Sequence, residues 1–466
     1  MTETTFIDTH AHLDDPRFDD DLDAVIERAR GAGLKNVIAV ACWHEEGDFK
    51  KALEIARSRD FMRSAIGVHP HEAARVPGES VFEMMKELAN DKANKVVAIG
   101  ETGLDYHYDH SPRDIQKQVF ARQIELAREL NLPLIVHSRE ADKDVFDILN
   151  ANGAKDTGGV FHCFSSGVAQ ARAALDMGFY LSFTGVITFP KSQALRDVVK
   201  AVPIEKMLIE TDCPYLAPMP NRGKRNEPSF VVDTAAEIAR IKGLTVEDVG
   251  RITTKNANDL FSIDPATETA RIAYPIRRSL YLNITNRCSN HCTFCAKFKS
   301  YTVKGHYLRL SEEPTAAEVL KAVGPDPLQY DEIVFCGFGE PLIRLDVVKE
   351  AGLILKKRGC KIRIDTDGLA NLVHKRNVLP ELKFVDTISV SLNAPDSETY
   401  QKLVKTPFKE DAYPAILFFL REAKKHIAKV VASVVAVPGL DVEACRRVAE
   451  DEIGVGFRVR EYNAVG

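Results

Sequence analysis

The chain has 466 residues and a formal net charge of -5, too long for one ordinary domain and too acidic for a surface that is basic throughout, though a local basic site is compatible with it. With 45% hydrophobic and 28% charged residues, either half can bury a substantial core. No run approaches the roughly 18–20 continuous apolar residues of a bilayer span, and Met1 to Thr5 carry neither a basic nor an apolar signal region, so the expectation is a cytoplasmic protein without membrane association.

Short apolar runs alternate with amphipathic stretches through the first 262 residues. The runs are Phe6–Asp8, Val37–Val40, Ala65–Val68, Val96–Ile99, Leu134–Val136, Val160–Phe161, Tyr180–Phe183 and Met207–Ile209. Ser111-Pro112 predicts a helix start, a capping hydroxyl followed by proline at the first helical position. Ile115, Val119, Phe120, Ile124, Ala127 and Leu130 then recur at helical steps and predict one buried face. Strands that alternate with helices pair in parallel, so eight such units predict an α/β fold, a (β/α)8 TIM barrel over residues 1–262.

The ends of these strands carry the chemistry: Asp8-Thr9-His10-Ala11-His12, His69-Pro70-His71, Gly100-Glu101 to Asp105, His137-Ser138, His162-Cys163 and Glu210-Thr211-Asp212. In a barrel these ends meet at one mouth. His10 and His12 are two apart, so on a strand they share a face, as two ligands of one ion require. Imidazoles with carboxylates suit zinc, manganese or another divalent ion. The run Asn221-Arg222-Gly223-Lys224-Arg225 lies just past the last strand, where Arg222 and Lys224 are candidates for contact with substrate phosphate.

These motifs, with Arg139 after His137-Ser138 and the run Cys213-Pro214-Tyr215-Leu216-Ala217-Pro218, resemble the TatD-like metal-dependent nucleases over about residues 4–262. The resemblance implies two divalent metals (Zn, Mn or Mg). His10, His12, Glu101 and Asp212 would hold the first; a bridging Glu101, His137 and His162 the second. Glu101 and Asp212 are the expected catalytic pair, with Asp212 taking the proton of the attacking water. His69 is expected behind the ligands or facing substrate, Asp105 behind them, and Glu210 is as readily structural. A nucleic acid or nucleotide-containing substrate follows, with a small ester or aminoacyl-tRNA as the alternative.

After Phe261 the pattern stops, and residues 263–272 read as a linker, polar and interrupted by Pro265. Residues 273–466 start a second rhythm, with strands predicted at Leu280–Ile284, Glu332–Phe335, up to Ile364-Asp365, Thr387–Asn393, Val430–Val437 and Phe457–Arg460, a partial (β/α)6 barrel. The first strand runs into Cys288-x3-Cys292-x2-Cys295. Nine cysteines, three clustered and six scattered, fit a reducing compartment with one metal or cluster site. The triad could bind zinc with His291, although that residue sits cramped beside Cys292, or hold a [4Fe–4S] cluster with one open iron.

The triad, with Phe294 before its last cysteine and Gly337-Phe338-Gly339-Glu340-Pro341 after the second strand, resembles the radical S-adenosylmethionine (radical SAM) enzymes over about residues 275–466. The resemblance implies that Cys288, Cys292 and Cys295 bind a [4Fe–4S] cluster and that S-adenosylmethionine occupies its open iron. Gly337, Gly339 and Glu340 would lie along its amino group, Ser389, Ser391 and Asn393 near its ribose and Phe294 near its adenine. An external electron donor and a radical substrate of unknown identity follow. Cys336, Cys360 and Cys445 are expected in the core. The chain as a whole is expected to be a bifunctional enzyme, a phosphodiester hydrolase joined to a radical enzyme; the alternative makes the second half an activator or sensor.

Overall fold

Eight parallel strands pair strictly in sequence order in the first part of the chain. They are β1 (Phe6–Ala11), β2 (Leu34–Cys42), β3 (Met62–Gly67), β4 (Val96–Asp105), β5 (Leu134–Arg139), β6 (Gly159–Phe161), β7 (Tyr180–Phe183) and β8 (Met207–Ile209). The circle closes between β1 and the segment just past β8. Ala11 bridges Cys213, the Asp212 N–H donates to the His10 carbonyl at 2.9 Å, and the His12 N–H donates to the Cys213 carbonyl at 2.8 Å. The expected TIM barrel is therefore present. The computed structural model describes residues 4–43, 49–264, 269–298 and 300–462. Its contacts divide into two compact units, Met1–Ala266 and Thr267–Gly466.

Two apolar layers hold the barrel, and they follow from the period of two along each strand. One set of residues, including Val37, Ile66, Ile99 and Leu134, packs with the surrounding helices. A second set, Ile7, Ile38, Ala65, Ala98, Ile135, Val160 and Leu208, packs with Phe261 and Ile263. Ile263, the first residue of the expected linker, is thus buried with the first unit. The Arg63 guanidinium donates to its carbonyl at 3.2 Å, and Asn36 donates to Asp264 at 3.5 Å. Residues 265–268 of that linker lie outside the described residues.

The helix expected after Ser111-Pro112 spans Arg113–Leu130, but its start is built differently. Pro112 is the cap residue, and its carbonyl accepts from the N–H groups of Ile115 and Gln116 at 3.0 Å each. The Ser111 hydroxyl does not cap the helix; it accepts from the Ala74 N–H and donates to the His71 carbonyl, tying down the turn after β3. Gln116 and Gln123 share the helix's buried face with Val119, Phe120 and Ile124. Gln116 exchanges hydrogen bonds with the backbone of Asp105, and Gln123 with that of Val68 and the Thr102 hydroxyl. The face that periodicity marks as apolar thus carries two polar clamps that satisfy strand-end backbone groups.

The second unit is a seven-stranded sheet: β9 (Ala273–Ile276), β10 (Ser279–Leu282), β11 (Glu332–Phe335), β12 (Ile362–Thr366), β13 (Thr387–Ser391), β14 (Lys429–Ala436) and β15 (Gly456–Glu461). From β10 to β15 the six strands run parallel in sequence order, the expected partial barrel. The sequence reading missed β9, which pairs antiparallel with β10 across a two-residue turn and adds an edge strand. Its four residues are too few to show a period, and Arg277, in the turn, adopts φ 53°. Helices cover one face, with Val348, Ala351, Leu355, Phe419 and Leu420 packed on Ile333, Ile364 and Ile388. Among the described residues no helix is long and apolar enough to cross a membrane.

Candidate metal centre and cysteine loop

Glu101 is the pivot of the barrel mouth. It lies on β4 with a side chain only 4% exposed, and its two oxygens face two different sets of imidazoles. Oε2 lies 3.3 Å from His10 Nε2 and 3.6 Å from His12 Nε2, and those two nitrogens also lie 3.8 and 3.5 Å from Asp212 Oδ1. Oε1 lies 2.7 Å from His137 Nδ1, 2.8 Å from His162 Nε2 and 3.4 Å from His69 Nε2. Within each set ring nitrogens approach closely: 3.2 Å for His10 and His12, and 3.2 Å for His137 and His162. Imidazole nitrogens gathered around the oxygens of one carboxylate make a donor set suited to a divalent cation, and the arrangement fits two cations sharing Glu101.

All six expected metal-site residues come together at this mouth. His69 also comes close: with Glu101 and His137 it forms a group whose donor atoms lie within 4.8 Å of one another. Cys42, at the end of β2, forms a similar group with His12 and Glu101 and was not singled out in the sequence. The signal was present, because Cys42 is the last residue of β2 and so ends at the same mouth as His10 on β1 and His137 on β5.

Electrostatics follow from burial and crowding. Burial alone would raise Glu101, but the charges of His162 and His69 and hydrogen bonds from His10 and His137 hold it well below the ordinary carboxylate range. Burial would lower His12, yet the hydrogen bond to Asp212 and the charges of Glu101 and Asp212 carry it to about 9. His69 is pushed down to about 4 by burial, which Glu101 offsets only in part. Asp8, beneath the site, is pushed up to about 8 by burial; it accepts from the Thr211 N–H and hydroxyl and so braces β1 against the end of β8. Glu210 accepts from the Cys163 N–H at 2.5 Å and lies 3.5 Å from His162 Nδ1, which holds the strand-six end in place.

Asp105 orients the second set. Its Oδ2 lies 3.1 Å from His137 Nε2 and 3.0 Å from His71 Nε2, so the His137 ring is fixed between Asp105 and Glu101. Asp105→Asn keeps the shape and leaves only one acceptor oxygen, so metal-dependent hydrolysis is expected to fall by about 10- to 100-fold while Tm changes little. Metal titration of the variant, followed by activity, checks this.

The three cations after β8 separate in the structure. Arg225 is bound by Asp21 through two 2.7 Å contacts and by the Arg17 carbonyl, so it braces the loop. Arg222 and Lys224 are exposed, and the Arg222 guanidinium lies 4.3 Å above the Phe189 ring.

In the second unit the loop from Asn283 to Phe298 carries the cysteines. The Ser289 hydroxyl donates to Asp367 at 2.9 Å, Asn290 donates to the Tyr400 hydroxyl at 3.3 Å, and the Thr293 N–H donates to the Leu403 carbonyl at 2.9 Å. Cys288, Cys292 and Cys295 are half-buried in it, as is Phe294. Burial and neighbouring negative groups push the Cys292 thiol up to about 12 and Cys288 higher still.

Both glycines lie close against protein, Gly337 against a side chain and Gly339 against backbone. A Cβ on Gly337 would lie 2.3 Å from Asn283 Oδ1, and one on Gly339 would lie 2.4 Å from the carbonyls of Thr285 and Arg287. The Glu340 N–H donates to the Arg287 carbonyl at 2.8 Å. This turn therefore clamps the cysteine loop. Gly339→Ala must move backbone and is expected to cost about 1–3 kcal/mol, with reduced iron uptake on anaerobic reconstitution. Glu340 is buried too: it accepts from Leu342 N–H, the Thr366 hydroxyl and Asp367 N–H, at 2.9, 2.8 and 2.6 Å. Burial and Asp367 raise it well above the carboxylate range. In this structure it joins the turn to the end of β12.

Ser389 and Asn393 are buried, and Ser391 accepts from the Arg460 guanidinium at 3.4 Å. Register sets Asp365 beside Ser389, Ser391 beside Ser433, and Ser433 beside Arg458. With Arg363, whose Nη1 lies 3.6 Å from Asp365, these residues give the sheet a polar face opposite its helices.

Comparison with known proteins matches this architecture. Residues 7–262 match the family described as TatD related DNase. The chain belongs to the TatD-related DNase family. Residues 282–451 match the radical SAM superfamily, so a TatD hydrolase domain and a radical SAM domain share one polypeptide. The TatD part is 47% identical over 257 residues to the metal-dependent hydrolase YabD of Bacillus subtilis, covering 55% of this chain and 99% of that protein. It is 40% identical over 261 residues to the metal-dependent hydrolase YcfH of Escherichia coli K12, covering 55% and 96%. The TatD homologue YJJV of Escherichia coli superposes with a TM-score of 0.52 at 29% identity, covering 56% of this chain and 98% of that one. A TatD-family hydrolase from Entamoeba histolytica gives 0.51 at 28%, with the same coverage.

Proposed function

We propose that the TatD barrel hydrolyses phosphodiester bonds of nucleic acid with two divalent cations, and that the second domain carries out radical SAM chemistry on a separate substrate. The observation that carries the first half is the division of Glu101, one oxygen toward His10, His12 and Asp212 and the other toward His137, His162 and His69. Bound there, the cations would acidify a water and offset phosphate charge. Asp212, ionised because His12 and the neighbouring imidazoles outweigh its burial, is the acceptor for the proton of the attacking water. Exposed Arg222 and Lys224 supply positive charge for phosphate.

In the second domain Cys288, Cys292 and Cys295 would hold a [4Fe–4S] cluster, which with S-adenosylmethionine and an external electron donor supplies a hydrogen-abstracting radical. Their loop fits this role because Asp367, Tyr400, Leu403 and the Gly337–Glu340 turn fix it from several sides. The polar sheet face with Ser389, Ser391 and Asn393 nearby is the proposed seat of cofactor and substrate.

The test of the hydrolase is cleavage of single-stranded DNA, RNA and aminoacyl-tRNA by protein stripped with chelator and then reloaded with Zn, Mn or Mg. Phosphodiester cleavage that returns only with metal supports the proposal. Deacylation without chain cleavage overturns it.

A further inference from the structure

Along the strands of the radical SAM domain every second residue faces away from the helices, and the charges on that face are unevenly matched. Arg363 on β12 is neutralised: its guanidinium lies 3.3 Å from Glu332 and 3.6 Å from Asp365, and it donates to the Tyr281 hydroxyl at 3.1 Å. Asp367 is engaged as well, accepting from the Ser289 hydroxyl and the Leu369 N–H at 2.9 Å each. Arg458 and Arg460 on β15 are different. Among the described residues neither pairs with a carboxylate within 4.0 Å, and Arg460 donates only a long bond, 3.4 Å, to the Ser391 hydroxyl.

Place sets these two apart from the other unpaired cations of the domain. Register puts Arg458 beside Ser433, Arg460 beside Val435, and Ser433 beside Ser391, so both arginines share the face opposite the helices. Phe457, between them, packs with the helix-side core. Between Asp365 and the arginines the face carries the short side chains of Ser389, Ser391 and Ser433, which leave room above the strands. Cys336, expected in the core, is half-buried where β11 ends and continues this face beside Asp365. Burial raises Asp365, Cys336 and Cys292, and the charge of Arg460 opposes it at all three, so this guanidinium lies close to the cysteine loop.

A second observation points to a ligand. Arg363 and Asn393 are only 8% and 5% exposed, yet Arg363 Nε and Asn393 Oδ1, together with Asp365 Oδ1, are buried without a hydrogen-bond partner. Buried polar atoms left unpaired are costly, and a polar molecule on this face would meet them.

We propose that Arg458 and Arg460, with the Ser391 and Ser433 hydroxyls, seat an anionic group of the radical SAM domain's substrate, a carboxylate or a phosphate, while Asp365 and Asn393 accept hydrogen bonds from donors on the same molecule. This rests on the radical SAM reading and adds a substrate class to it. A guanidinium fork matches two oxygens of either group, and two forks on one strand face, about 6.6 Å apart at Cα, can hold one anion between them. A neutral or cationic substrate would leave the two like charges uncompensated.

The test is arginine labelling by phenylglyoxal in the full-length protein after anaerobic reconstitution, read residue by residue by peptide mass spectrometry. Inorganic phosphate, succinate and S-adenosylmethionine are compared with chloride at equal ionic strength. Exposed Arg358 and Arg421, on the helix side, are the references. Phosphate or succinate, at about four times its dissociation constant, is expected to slow labelling of Arg458 and Arg460 about fivefold and to leave the references unchanged. Whichever anion protects tells phosphate from carboxylate. Arg458→Gln should remove most of the protection at Arg460, and Arg460→Gln most of that at Arg458; Tm by circular dichroism shows that each variant folds. No protection by either anion, equal protection of the references, or undiminished protection in the variants overturns the proposal and makes these ordinary solvated cations of an edge strand. Protection by S-adenosylmethionine in place of the two anions also overturns it, since the arginines would then hold the cofactor's own carboxylate. Formation of 5′-deoxyadenosine under dithionite in the same preparation separates the two claims. Protection without that product retains the anion seat and removes the radical SAM reading; the product without protection does the reverse.

Discussion

Glu101→Gln is expected to reduce metal-dependent hydrolysis by about a thousandfold or more, with bound metal falling as well. The amide retains the volume of the side chain, so the variant should fold. It offers one neutral acceptor oxygen where the carboxylate offers two charged ones. Because Oε1 and Oε2 face different imidazole sets, a single substitution weakens both cation sites together. Asp212→Asn touches only the set with His10 and His12 and should leave the His137 and His162 set able to bind metal. Metal analysis of the two variants beside wild type, with cleavage rates at saturating metal, checks this. Equal metal content in wild type and Glu101→Gln would refute the shared-carboxylate arrangement.

Cys292→Ser is expected to abolish cluster assembly and with it all formation of 5′-deoxyadenosine from S-adenosylmethionine under reductant. Serine is nearly isosteric but is a poor ligand for iron beside soft thiolates. Hydrolysis by the TatD barrel should stay within about twofold of wild type, since the cysteine loop and the barrel mouth belong to separate compact units. Among the described residues each unit has its own hydrophobic core. Iron and sulfide analysis after anaerobic reconstitution, with product chromatography, reads the first effect; the nuclease assay reads the second. Retained deoxyadenosine formation would sink the assignment of this thiol.

Much of the molecule is legible from local pattern. Short apolar runs, separated by helical periods, mark all eight barrel strands, and histidines and acids at their ends mark the mouth. The same rhythm marks the six parallel strands of the radical SAM domain. The linear sequence therefore determined both fold classes, the order of the parallel strands, the metal-site candidates and the cysteine triad, because apolar runs and ligand spacing act over a few residues.

Partnership was decided only in three dimensions. Nothing local says that Gln116 and Gln123 clamp strand ends, that Ser111 serves the turn after β3 and not its own helix, or that Glu340 turns inward to Thr366 and Asp367. Nor does the run Arg222-Gly223-Lys224-Arg225 say which cation is neutralised. Arg225 meets Asp21 from 204 residues away, while Arg222 lies over the Phe189 ring. Charge and hydrogen-bond capacity are properties of single residues. What each one does depends on which distant groups the closed barrel brings within about 3–4 Å, where these interactions act.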